Sequence, residues 1–279
     1  MANKNVSKKY EFTGESIVAG LHTLRRIRAI RDFGDVKAGA LGGFIEKEDN
    51  LSHEGNCWVA GDAMVYRNAH VCDNALVYDK AEVTGYAKIY ENACVYGNAS
   101  VRVEAEVYGY AQVYGSALIY GEIFGRAKVY GNAQIYEEIY GKFLEKTRIY
   151  GNVEVYGKAR VLGSTKVYCN AKICEDALIF QKAIVCDNAY ICGAAMVHGE
   201  AKIYGNAMVS GKAKIYENGR VYGSAHVSVD AKVYGNAKVS GDAKVYGNTE
   251  VCGDSEIDSS IYKKTIATDV TERLVFIAV

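Results

Sequence analysis

Five histidines are the residues whose chemistry could first suggest catalysis: His22, His53, His70, His198 and His226. A histidine acts as a general base when a partner orients its ring and a substrate can reach it. His53 lies in NLSHEGN, where a non-repetitive amino-terminal segment meets a repeat, and His198 lies in MVHGEA with Glu200 two residues further on. These positions make His53 and His198 weak candidates for a base. Placement on the outer surface without a catalytic role is the alternative interpretation of His70, His198 and His226.

The eight cysteines do not have the spacing of a metal site. Cys169 and Cys174 are five residues apart and Cys186 and Cys192 are six apart, whereas zinc sites commonly use Cys-x₂-Cys pairs. The amino-terminal MANKNVSKKYEF has no apolar segment, and no run reaches the length of a membrane span. We therefore expect a cytoplasmic protein with reduced thiols, no resident metal or cofactor, and no membrane association.

A hexad repeat must position these side chains. Residues 227–248 read VSVDAKVYGNAKVSGDAKVYGN, and an aliphatic residue recurs every six residues from Val59 to Ile119 and from Ile149 to Ile257. A period of six does not keep one face of a helix apolar, whereas a strand alternates at a period of two. The aliphatic position one and the small position five then face inward, and positions two and six face outward. Positions three and four form a corner, where Gly and Asn tolerate a positive φ.

The repeat predicts a β-solenoid whose coil contains either two or three hexads, since outward residues align comparably under both arrangements. The phase breaks between Ile119 and Ile123 and again between Ile135 and Ile149, and the two shifts cancel. We expect residues 134–149 to bulge from one continuous domain. The predicted organisation is an amino-terminal cap (1–56), a repeat domain (57–257) and a carboxy-terminal cap strand (258–279).

Tyrosine is the distinctive outward residue, with 23 Tyr against 7 Phe, and it falls mostly at position two. Packing of tyrosines on neighbouring strands explains this choice structurally. A platform that stacks sugars or bases is the functional alternative.

The outward positions are mostly polar along the repeat, but in residues 178–198 they are mostly apolar. We expect an interface there, because contiguous outward apolar surface usually marks one; coverage by the 136–148 bulge is the alternative. A homo-oligomer is the first expected partner, and another protein could also bind at 178–198. The predicted interface residues are Leu162, Leu178, Phe180, Ile184, Tyr190 and Met196.

The chain has no excess charge, with 33 basic and 33 acidic residues. A nucleic-acid-binding protein usually carries a basic patch, so nucleic acid is not an expected partner.

The entry segment RDFGDVKAGALGGFIEKEDNLSHEGNCWV (31–59), followed by hexads, resembles the YdcK-like hexapeptide-repeat proteins. These are bacterial and phage-borne proteins of the left-handed β-helix superfamily, which includes hexapeptide acyltransferases. The resemblance implies an all-β, single-stranded, left-handed parallel β-helix, a triangular solenoid with three hexads per coil. The short amino-terminal β cap is predicted from YEFTGESI and LRRIRAIRDF, which have the pattern of strands, and a binding module is the alternative for this segment. The resemblance also makes a homotrimer the first expectation. Tyr stands at position two, where that superfamily usually has Gly.

Three functions follow as hypotheses. The leading one is a non-enzymatic β-solenoid that serves as a scaffold or binding protein and self-associates. The resemblance implies an alternative, an acyltransferase that uses acyl-CoA at a subunit interface with His53 or His198 as base. The third is a phage-type protein that sequesters a small ligand or inhibits a partner. Fold alone does not choose among them.

Overall fold

The computed structural model describes residues 7–136 and 146–258, together with the backbone of 261–264. The chain divides into two compact units, Met1–Ile135 and Tyr136–Val279. Among the described residues, the secondary structure consists of β-strands and one short 3-10 turn, Glu48–Asn50. No helix in these ranges is long and apolar enough to cross a membrane.

The first unit begins with an antiparallel cap. Strand β1 (Tyr10–Ala19) pairs with β2 (His22–Ala29), and β2 pairs with β3 (Leu41–Ile45). Strand β3 then runs parallel to Met64–Val65, with Phe44 opposite Met64. The cap therefore continues one wall of the solenoid through ordinary sheet hydrogen bonds.

Three parallel sheets form the solenoid of the first unit, and we call them its first, second and third faces. The first face contains Met64–Val65, Glu82–Val83, Ser100–Val101, Leu118–Ile119 and Gln134–Tyr136. The second contains His70–Val71, Lys88–Ile89, Glu106–Val107 and Glu122–Ile123. The third contains Trp58–Val59, Leu76–Val77, Cys94–Val95, Gln112–Val113 and Lys128–Val129.

The second unit also has three faces. Its first face contains Arg160–Leu162, Leu178–Ile179, Met196–Val197, Lys214–Ile215, Lys232–Val233 and Glu250–Val251. Its second contains Arg148–Ile149, Lys166–Val167, Ile184–Val185, Lys202–Ile203, Arg220–Val221, Lys238–Val239 and Glu256–Ile257. Its third contains Glu154–Val155, Lys172–Ile173, Tyr190–Ile191, Met208–Val209, His226–Val227, Lys244–Gly247 and Ile261–Lys264.

The hexad explains these faces. Cys94 pairs with Gln112 in the adjacent coil, three hexads further along the chain, so the alternative of two hexads per coil is excluded. Inward side chains such as Val95 and Ala99 have no exposed surface. Each buried Val or Ile contributes roughly 1.5–3 kcal/mol before conformational entropy is subtracted. The all-β parallel solenoid with three hexads per coil is thus confirmed.

The corners differ in one respect from the expectation. The left-handed φ falls on position three alone, as at Gly97 (φ 71°) and Asp79 (φ 60°), and not on the Asn at position four. The Asn side chains instead connect successive coils, as where Asn170 Nδ2 donates to Asn188 Oδ1 at 3.1 Å. Asn is therefore chosen at position four for its amide ladder.

Position three has a ladder of its own. The Asp79 carboxylate accepts from the backbone N–H of Gly97 one coil later at 3.1 Å, and Asp187 does the same for Gly205 at 2.9 Å. Each carboxylate satisfies an N–H at a corner, where sheet pairing has ended.

The first phase break shortens one corner. Val107 pairs with Ile123, two residues short of the usual three hexads. The predicted bulge falls mainly on 137–145, outside the described residues, as does the tail 271–279.

Candidate ligand-binding cleft between the cap and the solenoid

A cleft opens in the first unit where the cap meets the corner between its first and second faces. One hollow of about 630 Å³ is lined by His22, Glu46, Lys47, Arg67, Asn68, Gly85 and Tyr86. A second hollow of about 360 Å³ is lined by Tyr66, Arg67, Thr84, Gly85, Tyr86, Arg102, Val103 and Tyr120. Because Arg67, Gly85 and Tyr86 border both, we treat the two hollows together as the cap cleft. Their volumes are those of small-molecule sites.

Six neighbouring segments of the cap and the solenoid position the lining. His22 begins β2, and Glu46 follows the end of β3. Arg67 and Tyr86 occupy equivalent corners of successive coils, so the coil spacing sets them side by side along the solenoid. Tyr120 precedes the shortened corner, which places the first phase break at the far end of the cleft.

A histidine–carboxylate pair lies at the cap side. His22 Nδ1 is 2.7 Å from Glu46 Oε1, and Arg67 Nε donates to His22 Nε2 at 3.2 Å. A guanidinium can only donate, so His22 Nε2 accepts and the ring proton lies on Nδ1, facing Glu46. The second Glu46 oxygen accepts from the backbone N–H of Arg67 at 2.6 Å. Partial burial acts to raise the pKa of Glu46, but the hydrogen bonds from His22 and Arg67 lower it overall.

A second hydrogen-bond network, centred on Glu82, lies on the solenoid side of the cap cleft. Glu82 accepts from the Tyr66 hydroxyl through one oxygen, and from Arg102 Nη2 (2.7 Å) and Ser100 Oγ (3.3 Å) through the other. Burial acts to raise the pKa of Glu82, and the hydrogen bond from Tyr66 and the charge of Arg102 outweigh it and lower the pKa. Burial acts to lower the pKa of Arg102, but the charge of Glu82 and its hydrogen bond with Arg102 raise that pKa overall. Both groups therefore stay ionised.

The floor between these networks is open and partly apolar. Tyr86 is 63% exposed and Val103 is 48% exposed. Gly85 has φ 77°, and a Cβ there would lie 2.8 Å from the backbone N and O of Val103. A side chain there would have to displace the backbone of the next coil.

The predicted bases occupy other places. His53 stacks on Tyr10 with ring centroids 4.3 Å apart, its Nδ1 accepts from the Lys9 N–H at 3.3 Å, and its Nε2 is buried without a hydrogen-bond partner. Burial lowers the pKa of His53. His198 stacks between Phe180 and Tyr216 at 4.5 and 5.3 Å, and burial followed by the Lys214 charge lowers its pKa. Neither lines the cap cleft.

The predicted interface residues divide among faces of the second unit. Leu178 pairs with Met196 on the first face, Leu162 ends a strand of the same face, and Phe180 directly follows another. Ile184 lies on the second face between Lys166 and Lys202. Tyr190 lies on the third face, with its hydroxyl 3.3 Å from Cys174 Sγ. Four of the six therefore share a face, which we call the apolar strip.

The cysteines are free thiols, and Cys174 and Cys186 are buried although position two points outward. Among the described residues, no group of three or more His, Cys, Asp or Glu is placed to hold a metal ion. The tyrosines stack in ladders, as expected from packing, with Tyr78, Tyr96, Tyr114 and Tyr130 at centroid spacings of 4.8 Å.

Sequence reasoning missed the cap cleft. Its signal is a cluster of departures from the hexad: Arg67 at position three, Thr84 and Arg102 at position two, and Tyr86 at position four, all before the first phase break. The role of His22 had no local signal, because its partner Arg67 lies 45 residues away.

Comparison with known proteins shows which type of repeat this chain resembles. Residues 201–217 match the family model described as YdcK Beta solenoid repeat. The Escherichia coli (strain K12) protein named "Uncharacterized acetyltransferase YdcK" is 42% identical to this chain over 62 residues, which are 22% of this chain and 18% of that protein. The match thus spans less than a fifth of the relative. The resemblance seen in the sequence is confirmed, because the repeat of this chain is similar to the YdcK β-solenoid repeat.

Proposed function

We propose that this chain is a β-solenoid binding protein that holds a small molecule in the cap cleft. One observation carries the proposal. Among the described residues, the Arg67 Nη atoms and Arg102 Nη1 donate no hydrogen bond, although both side chains are held by other hydrogen bonds. Preorganised donors facing an open hollow are what a ligand site requires.

The remainder of the first unit serves as support. Both arginines depend on neighbours in the sheet or the cap, so the ligand meets side chains whose positions are already set. Binding without reaction is the simpler function, because the Nε2 lone pair of His22 is occupied by Arg67. This is the binding form of the leading hypothesis from the sequence.

The test is retention of small molecules. Purified chain is incubated with a soluble metabolite extract of the cells that express it, separated by gel filtration, and the bound compounds are identified by mass spectrometry. The Tyr86→Ala variant removes the exposed ring of the cleft. Tyr110→Ala is a matched control, because Tyr110 is also 63% exposed at position four but lies outside the cleft. We expect a compound that wild type and Tyr110→Ala retain and Tyr86→Ala loses. No retained compound, or equal retention by all three, would reject the proposal.

Acetyl transfer is the second candidate function. The pair of His22 and Glu46 favours it, because a carboxylate that holds Nδ1–H directs the Nε2 lone pair outward, as a general base requires. The relative named as an acetyltransferase adds support. Arg67 would have to leave Nε2 first.

Release of coenzyme A from acetyl-coenzyme A, with a panel of amines and sugars as acceptors, tests this candidate. His22→Gln should lower the rate by about 100-fold or more. His226→Gln is the control, because His226 contacts Ser210 in the second unit. Acceptor-dependent release that is absent from wild type, or unaffected by His22→Gln, would rule it out.

A further inference from the structure

We infer that the ligand of the cap cleft joins a planar ring to a phosphate or carboxylate group, with Arg67 and Arg102 holding the anion and Tyr86 stacking on the ring. The inference rests on the proposed function and deepens it by naming the ligand class. It assigns a role to three residues that the hexad frame treats as irregularities.

Arg67 and Arg102 use only some of their guanidinium donors within the chain. Arg67 uses Nε toward His22, and Arg102 uses Nε toward Ser100 at 2.6 Å and Nη2 toward Glu82. Both side chains line the 360 Å³ hollow. Their remaining N–H groups are therefore presented to one space, and planar guanidinium donors match the oxygens of phosphate and carboxylate.

The carboxylates of Glu46 and Glu82 do not compete for these donors. Both oxygens of Glu46 accept from His22 and Arg67, and both oxygens of Glu82 accept from Tyr66, Ser100 and Arg102. Lys47, the other cation of the lining, donates to Asn68 at 3.0 Å. Three cationic side chains thus face two carboxylates that are already satisfied, and an anion would restore the balance.

The exposed ring of the cleft belongs to Tyr86. Tyrosines of the described ladders stack on one another with ring centroids 4.8–5.2 Å apart, whereas Tyr86 stands at position four outside these ladders and keeps most of its surface open. Val103, on the next coil, adds exposed apolar surface to the same hollow. A flat ring can therefore lie on Tyr86, because aromatic faces prefer offset stacking.

The conformation of Arg67 is consistent with a binding role. It has φ 59°, in the left-handed region that Gly occupies at most other corners. Its side chain reaches His22 and the cleft together.

Isothermal titration calorimetry with two matched probe pairs tests the inference: nicotinate against nicotinamide, and AMP against adenosine. Each pair keeps its ring and changes the anion, so the pairs distinguish a carboxylate from a phosphate source. We expect the anionic member of at least one pair to bind about tenfold more tightly than its neutral partner, and this preference to shrink as salt is added.

Three variants separate the contributions. Arg67→Gln and Arg102→Gln should each abolish the preference for the anion, whereas Tyr86→Ala should weaken both members of a pair. Arg126→Gln is the control, because Arg126 is an exposed corner arginine of the same unit outside the cleft. Circular dichroism confirms that each variant is folded.

The outcomes separate the inference from the proposed function. Equal binding of charged and neutral probes, with loss only in Tyr86→Ala, would overturn the anion assignment and leave the cleft as a binding site. A compound retained from the extract that has no anionic group would do the same. Absence of binding by all four probes, together with no retained compound, would overturn both.

Discussion

The third residue of each hexad carries the conformational cost of the corner. Glycine adopts the left-handed φ there without strain, and Asp, Glu or Gln offset it by capping the next coil's N–H. Val229 does neither: it has φ 63°, is 50% exposed, and follows Gly211 in its column. A β-branched residue in that region is disfavoured.

Val229→Asn should therefore stabilise the chain by roughly 1 kcal/mol, because Asn tolerates the left-handed region. The measurement is the urea midpoint of unfolding. Asp230→Asn is the matched control, since the neighbouring Asp230 is exposed but lacks a positive φ. A Val229→Asn variant no more stable than Asp230→Asn would contradict the strain argument.

The carboxylate caps make a second prediction at this scale. Asp187→Ala leaves the N–H of Gly205 without its acceptor and should lower the free energy of unfolding by about 1 kcal/mol. Asp187→Asn keeps an acceptor oxygen and should change it by less than half as much. Equal losses in the two variants would show that the hydrogen bond contributes little.

The tyrosine ladder is the characteristic element of the walls. Tyr78 stacks on Tyr96 with an angle of 3° between the rings, and burial, followed by the nearby Tyr96, raises the pKa of Tyr78 to about 12. The folded state therefore holds the phenol proton more tightly than the unfolded chain does.

Stability against urea should consequently fall as the pH rises from about 10 to about 12, because only the unfolded chain releases this proton in that range. The contribution is fully present below the unfolded value. Tyr78→Phe keeps the stacking ring and removes the titration, so its urea midpoint should fall less steeply over that interval. Parallel pH profiles for the two proteins would refute the linkage.

The walls could be predicted from sequence and the cleft could not, for physical reasons. Inward Val and Ala positions repeat locally, so the period alone indicated the strand and corner of each hexad. The length of the coil needed the resemblance, because outward residues aligned equally well at two periods. The sequence predicted a positive φ for the Asn residues at position four, because a ladder such as that of Asn170 with Asn188 becomes visible only when the coil length is known.

The cleft depends on contacts that no period encodes. His22 and Arg67 meet because β3 joins the solenoid wall beside Met64, and nothing local to either residue specifies that pairing. His53 attracted attention by its position between cap and repeat, yet that same position encloses its ring against Tyr10.

For the whole molecule, the net charge is zero, so net charge repulsion between copies does not oppose self-association through apolar surface. Leu178 and Met196 pair on the apolar strip, and Phe180 and Leu162 lie beside them. The interface and the trimer remain predictions.

Phe180→Lys should lower the mass measured by light scattering, from that of a trimer to that of a monomer, because a charge would be buried in the interface. Tyr216→Lys is the control: it lies in the same stack of rings beyond the strip. A monomeric wild type would contradict self-association. Dissociation by both variants alike would show that the interface is not confined to the apolar strip.

A crystal structure of the chain with the tightest-binding of the four probes tests the ligand site in the cap cleft most directly. We expect the anion within hydrogen-bonding distance of the Arg67 and Arg102 guanidinium groups, with the ring against Tyr86. A probe found instead on the tyrosine ladders or the apolar strip, with the cap cleft empty, would contradict it.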